Sequence, residues 1–155
     1  MDFIKVQIEA LKVWEKIKNG KLTERNLIIG SNEYNTYVIM NATVMVVIPN
    51  DKYYLNLPME NKLETIKKEM SIEGKSGYEG VLTGEMIQGK KDTFLKLHTE
   101  KFDAYINKKH EKFFPFDSMS FVPIDSMSFV PTGQIASVYL CEKGIFVGVI
   151  AGVKI

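Results

Sequence analysis

An α+β fold is predicted for this chain from three observations. An amphipathic helical stretch opens it, runs rich in Val, Ile and Tyr dominate the rest, and those runs are paired across short polar turns as antiparallel hairpins are. Residues Phe3 to Lys18 form the opening helix, with Asp2 as its cap and Asn19-Gly20 as its stop. Ile4, Ile8, Leu11 and Trp14 fall near helical spacing, with Val6, Val13 and Ile17 flanking them, and this side is predicted to face the core. Lys5, Glu9, Lys12 and Lys16 line the opposite stripe.

Strands are expected over Asn26–Gly30, over Tyr37–Ile48 after a polar turn at 31–35, and briefly over Tyr53–Leu55. Pro58 suits a first helical turn, and a second, highly charged helix is predicted over Met59–Met70. Gly74, Gly77 and Gly80 mark a loop. Tyr78–Ile87 and Thr93–Leu97 read as a hairpin around Gly89-Lys90-Lys91-Asp92, and Phe102–Phe114 as a third, short helix stopped by Pro115. The tail reads as a hairpin, Ser137–Glu142 and Ile145–Ile155, turning at Lys143-Gly144.

With 155 residues, 45% hydrophobic and 25% charged, the chain is expected to fold as one domain, since no Pro/Ser-rich linker or shift of composition divides it. No apolar run approaches the ~18 residues of a membrane span, and no leader pattern opens the chain. Cys141 is the only cysteine, which excludes an internal disulfide and points to a reducing, cytoplasmic setting. The formal net charge is +1, so global electrostatics favour no partner. Arg25 is the only arginine among 20 basic residues. Lysines carry mobile point charge, where arginine would offer a planar fork to a base edge, so any nucleic-acid contact is expected to be non-specific and through the backbone.

Residues 116–123 read FDSMSFVP and residues 124–131 read IDSMSFVP, a tandem duplication of eight residues. Eight is an even number, so the insertion leaves downstream strand residues on their original face. One copy is expected to pair in the sheet, and the other to extend an edge or bulge out as a loop. The duplication reads as a slip rather than a functional motif.

The chemistry-bearing residues do not assemble into a catalytic pattern. His98 and His110 lack further ligands at metal-site spacing, and Cys141 sits in an apolar alternation as a buried thiol would. Asp117, Ser118, Asp125 and Ser126 recur because the octapeptide does, with no nucleophile elbow around them. Phosphate-loop, dinucleotide and zinc-protease motifs are all lacking. The sequence therefore points to no enzyme, no metal and no cofactor. Three lysine groups remain. Lys62, Lys67 and Lys68 are balanced by Glu60, Glu64 and Glu69 and read as a solvated face. Lys5, Lys12 and Lys16 on the first helix, and Lys108, Lys109 and Lys112 on the third, are either solvated faces or, if the two helices share a surface, a phosphate-binding one.

The stretch Tyr105-Ile-Asn-Lys-Lys-His-Glu-Lys-Phe-Phe114, the strand Ser137-Val-Tyr-Leu-Cys141 and the tail Gly144-Ile-Phe-Val-Gly-Val-Ile-Ala-Gly-Val-Lys-Ile155 together resemble the last domain of bacterial DNA sliding clamps, and small phage proteins with one clamp-like domain are similar. Two departures stand out: Ala151-Gly152-Val153 occupies the place of the clamps' Met-Pro-Met, and Val138 that of a proline. The resemblance implies a clamp-like domain of antiparallel sheets with two helices on one face. It also implies non-specific contact of Lys5, Lys12, Lys16, Lys108, Lys109 and Lys112 with double-stranded DNA, near phage or mobile-element replication. A ring needs several such domains, so homo-oligomerisation is implied as well. The alternative is a protein-interaction module that binds a host or replication protein, with exposed aromatics such as Tyr53, Tyr54 and Phe146 as anchors.

Overall fold

A computed structural model describes residues 1–69, 77–124, 129–130 and 133–154. The α+β class and the antiparallel pairing are as the sequence predicts. The chain resolves into two compact units, Met1–Ser71 and Ile72–Ile155.

In the first unit, helix α1 (Phe3–Lys18) begins where the Asp2 carboxylate accepts a hydrogen bond from the Lys5 amide at 3.0 Å, and ends at Gly20, which supplies the left-handed conformation with φ +75°. It lies over a meander of β1 (Leu27–Ser31), β2 (Asn35–Met40) and β3 (Val44–Pro49). The expected single run Tyr37–Ile48 is two strands. Asn41 (φ 53°) and Ala42 (φ 55°) are both left-handed, and the Thr43 amide donates back to the Met40 carbonyl at 3.1 Å, closing a tight turn whose twist suits a hairpin. Tyr53–Leu55, expected as a strand, is irregular. It is held instead by Gln7 of α1, whose amide donates to the Lys52 carbonyl at 2.9 Å and accepts from the Tyr54 amide at 2.7 Å.

The second helix is shorter than Met59–Met70. Helix α2 spans Leu63–Ile66, continues as one 3₁₀ turn over Lys67–Glu69, and is preceded by an irregular stretch in which the Asn61 side chain accepts from the Ser31 amide and the Leu63 amide, both at 3.1 Å. It packs on β1 at Gly30. A β-carbon there would stand 2.6 Å from the Leu63 nitrogen and 2.7 Å from its α-carbon, both backbone atoms with little freedom to yield. Gly30→Ala is therefore expected to lower stability by about 2 kcal/mol, as overpacking does. Urea unfolding checks this, and an unchanged midpoint would show that α2 shifts freely.

The core face of α1 differs from the expected one. Val6, Ala10 and Val13 are buried, whereas Ile4, Ile8 and Leu11 point to solvent. The bonds of Gln7 to residues 52 and 54 orient the helix, because a buried amide must be satisfied and its partners lie on that side.

The second unit is an antiparallel sheet. Strands β4 (Val81–Gln88), β5 (Thr93–His98) and β6 (Asp103–Asn107) form a meander, and β6 pairs with β10 (Ile145–Lys154). Strand β10 pairs with β9 (Gly133–Glu142), whose other edge takes β7 (Met119–Ile124) and then the two-residue β8 (Phe129–Val130). The predicted hairpins at Gly89–Asp92 and Lys143-Gly144 both form, the second with φ 51° and 79° at its two turn residues. The first copy of the repeat pairs in the sheet as β7. Phe129 and Val130 of the second pair as β8, and its residues 125–128 and 131 lie outside the described residues. Of the three loop glycines, Gly74 also lies outside them; Gly77 and Gly80 form isolated bridges to Ile124 and Phe121.

The third helix expected over Phe102–Phe114 does not form. Phe102–Phe114 contains strand β6 and a 3₁₀ segment over Lys108–Lys112, opened by the Asn107 side chain, which accepts from the Lys109 amide at 3.0 Å. Burial alternates along Asp103–Asn107, with Ala104 and Ile106 inward, a period of two rather than of 3.6. Phe113, Phe114 and Phe116 then drop into the core and leave no room for a longer helix.

Candidate functional site

The predicted lysines are all exposed, but they do not form two parallel helical stripes. Lys5, Lys12 and Lys16 follow one another at i, i+7 and i+11 on α1, so they share one side of a regular helix. Lys12 pairs with Glu9 at 3.3 Å, an exposed contact of small energetic weight. Lys108, Lys109 and Lys112 sit on a 3₁₀ segment of five residues, and the Lys112 ammonium lies 5.0 Å from the centre of the Phe113 ring. The two groups belong to different compact units.

Beside the α1 lysines stands a row that the sequence reading assigned to the core. Ile4 is 53%, Ile8 49% and Leu11 39% exposed, at i, i+4 and i+7. The outer side of the helix thus presents an aliphatic row flanked by ammonium groups. Scattered exposed aliphatics are ordinary on any surface, but a contiguous row along two turns is a candidate contact. The signal was present in the sequence as a second apolar stripe, Val6-Ala10-Val13, competing with the first for the interior.

The titratable groups elsewhere are tied into structure. Lys96 on β5 lies 2.9 Å from Glu85 and 3.6 Å from Asp103, and Asp103 lies 2.7 Å from Nδ1 of His98, its direct cross-strand neighbour. The Glu85 contact holds the Lys96 ammonium above its usual range. The His98 hydrogen bond, followed by the Lys96 charge, holds Asp103 below its own. These groups staple β4, β5 and β6 across the sheet. His110 is buried, and desolvation, with Lys109 and Lys112 nearby, pushes its imidazole down to about 4. Cys141 is half-buried rather than buried, and desolvation raises its thiol. Ser118 donates to the Pro115 carbonyl and the Glu142 carboxylate at 3.1 and 3.2 Å, which explains it structurally, while Asp125 and Ser126 lie outside the described residues. Among the described residues no cluster of three or more His, Cys, Asp or Glu could hold a metal, and no helix is long and apolar enough to cross a membrane.

The first unit also carries a concavity of about 230 Å³ floored by Trp14, Ile17, Leu27 and Met59, with Glu24, Glu60 and Lys62 on its wall. Glu60 and Lys62 neutralise each other at 2.8 Å. The volume is below the usual range for small-molecule sites of about 300–1,000 Å³. No protein-family profile, curated protein or solved structure matches this chain.

Proposed function

We propose that the chain is a non-catalytic binding module that engages an acidic, partly apolar protein surface through the outer side of α1. The observation that carries this is the exposed row Ile4, Ile8 and Leu11 beside Lys5, Lys12 and Lys16. Covering three aliphatic side chains recovers about 25 cal/mol for each Å² removed from water, and the adjoining ammonium groups steer an acidic partner into register. An amphipathic acidic helix laid alongside α1 meets both demands.

A second reading keeps the lysines and sets the aliphatics aside. Lys5, Lys12 and Lys16, with Lys108, Lys109 and Lys112, would contact duplex phosphates without reading sequence, as the clamp resemblance implies. The exposure of all six favours it. Phosphates offer nothing to Ile4, Ile8 and Leu11, and for that reason the protein partner is preferred.

Selection from a randomised helical peptide library tests both. The expected outcome is enrichment of peptides that interleave Asp or Glu with Leu, Ile or Phe. Their binding should fall at least about tenfold in an I8E/L11E variant, a loss of about 1.4 kcal/mol. Peptides that bind the variant as well as the parent, or no enrichment at all, would remove the protein reading. Duplex binding that weakens steeply with salt and is lost in K5E/K12E/K16E would establish the other.

A further inference from the structure

The duplicated octapeptide has a physical consequence that does not depend on the reading above. In strand β7, Met119 to Ile124 pair with Glu142 to Ser137 of β9, with Ser120 opposite Cys141 and Phe121 opposite Leu140. Phe121 is 4% exposed and packs edge-on against Phe116 at 5.4 Å. Of the residues β7 contributes, Met119, Ser120, Phe121, Val122 and Pro123 each recur eight positions later, as Met127, Ser128, Phe129, Val130 and Pro131. Because the offset is even, a slide of eight residues would return the same side chains to the same faces. In the slid register Ser128 would stand opposite Cys141 and Phe129 opposite Leu140. The link to β9 would shorten to residues 133–136, a length hairpins accept. Only two positions change in kind: Ile124 would replace Phe116, and Thr132 would replace Ile124.

We propose that the second copy of the octapeptide can replace the first against β9, so that this edge of the sheet has two registers related by an eight-residue slide. The slide moves one octapeptide of chain from the β9 side of the paired strand to the Pro115 side. It gives up the Phe116–Phe121 ring contact and the pairing of Gln134, Ile135 and Ala136 with Lys154, Val153 and Gly152, so the β7 register is the more populated. Phe129 and Val130 already pair with the same edge of β9, at Gln134 and Gly133, and the slide exchanges those two pairings for ones with Leu140 and Tyr139, six positions further along that strand.

Cys141, the only cysteine, makes the test direct. Directly opposed antiparallel residues have α-carbons about 4.5–5.5 Å apart, within disulfide range. Three full-length variants, S120C, S128C and S128C/F129D, are oxidised under native conditions, and the bond to Cys141 is followed by peptide mass mapping. The expected result is rapid closure in S120C, slower but complete closure in S128C, and closure at least about tenfold slower in S128C/F129D, because an aspartate cannot occupy the buried position of Phe121. The proposal is overturned if S128C stays reduced while S120C closes, or if S128C closes equally fast with F129D, which would mark chance encounter of the thiols. Should neither S120C nor S128C close, deletion of residues 116–123 decides. Folding with a melting midpoint within about 5 °C of the parent supports exchange, and failure to fold overturns it.

Discussion

Gln7→Met is expected to lower the free energy of unfolding by about 3 kcal/mol. Methionine keeps the length and volume of glutamine, so the packing of α1 is preserved and the loss is one of hydrogen bonds. The Gln7 amide donates to the Phe3 carbonyl at 2.8 Å and to the Lys52 carbonyl at 2.9 Å, while its oxygen accepts from the Tyr54 amide at 2.7 Å. Each bond contributes about 1 kcal/mol net, and a backbone group left without a partner away from water costs about 1–3 kcal/mol more. Phe3 precedes Gln7 by four residues, so its carbonyl keeps the helix ladder, whereas the Lys52 carbonyl and the Tyr54 amide lose this partner. Urea unfolding gives the magnitude. Limited proteolysis locates it, since cleavage should increase between residues 52 and 57 before the rest of the unit is attacked. A stability change below about 1 kcal/mol would mean that water replaces the side chain at this site.

Acidification from pH 6.5 to 4 should remove about 3 kcal/mol through His110. Burial holds this imidazole neutral and pushes its pKa from 6.5 to about 4, and the Lys109 and Lys112 ammonium groups act in the same direction. The folded state therefore binds fewer protons than the unfolded chain between those two values. Stability rises with pH across that window and is lost as pH falls through it, by about 1.4 kcal/mol per unit. The paired carboxylates Glu85 and Asp103, held below their ordinary values of 4.5 and 3.8, lose their contribution from those values downward, so the decline above about pH 5 belongs to His110. Denaturant midpoints at pH 7, 5.5 and 4.5 should decline in the parent and stay nearly flat across this range in His110→Phe. A parent whose midpoint does not move between pH 7 and 4.5 would show that the imidazole is solvated.

The sequence reveals the class, the hairpins and the repeat, because these rest on local chemistry. Gly144 and the polar run Gly89–Asp92 make turns wherever they stand between apolar strands. The errors arise where a segment has two acceptable periodicities. Helix α1 carries apolar residues around most of its circumference, and both Ile4-Ile8-Leu11 and Val6-Ala10-Val13 satisfy helical spacing. The choice was made by a partner 45 residues away in sequence, the Lys52 carbonyl that Gln7 reaches. Asp103–Asn107 is similarly ambiguous at five residues, and its pairing to both β5 and β10 decided for a strand. Helix α2 was overextended because charge-rich composition favours helix, while the Asn61 bonds to Ser31 and Leu63 delay its start. The six lysines were legible as exposed charge. The aliphatic row beside three of them became visible as a surface only once the opposite side of α1 was seen to be buried.

The outer border of β4 has a further consequence for how this protein tolerates crowding. Val81, Met86 and Ile87 are exposed there, a composition that on a straight border would invite another chain to add itself as a strand. Pairing with β5 is broken between Leu82 and Met86, where Gly84 takes a φ of +87° that most other residues resist. The border is thus divided into two short lengths, each a poorer template for an added strand than a continuous one would be. A single glycine thus interrupts the strand that an added chain would have to follow along this greasy margin.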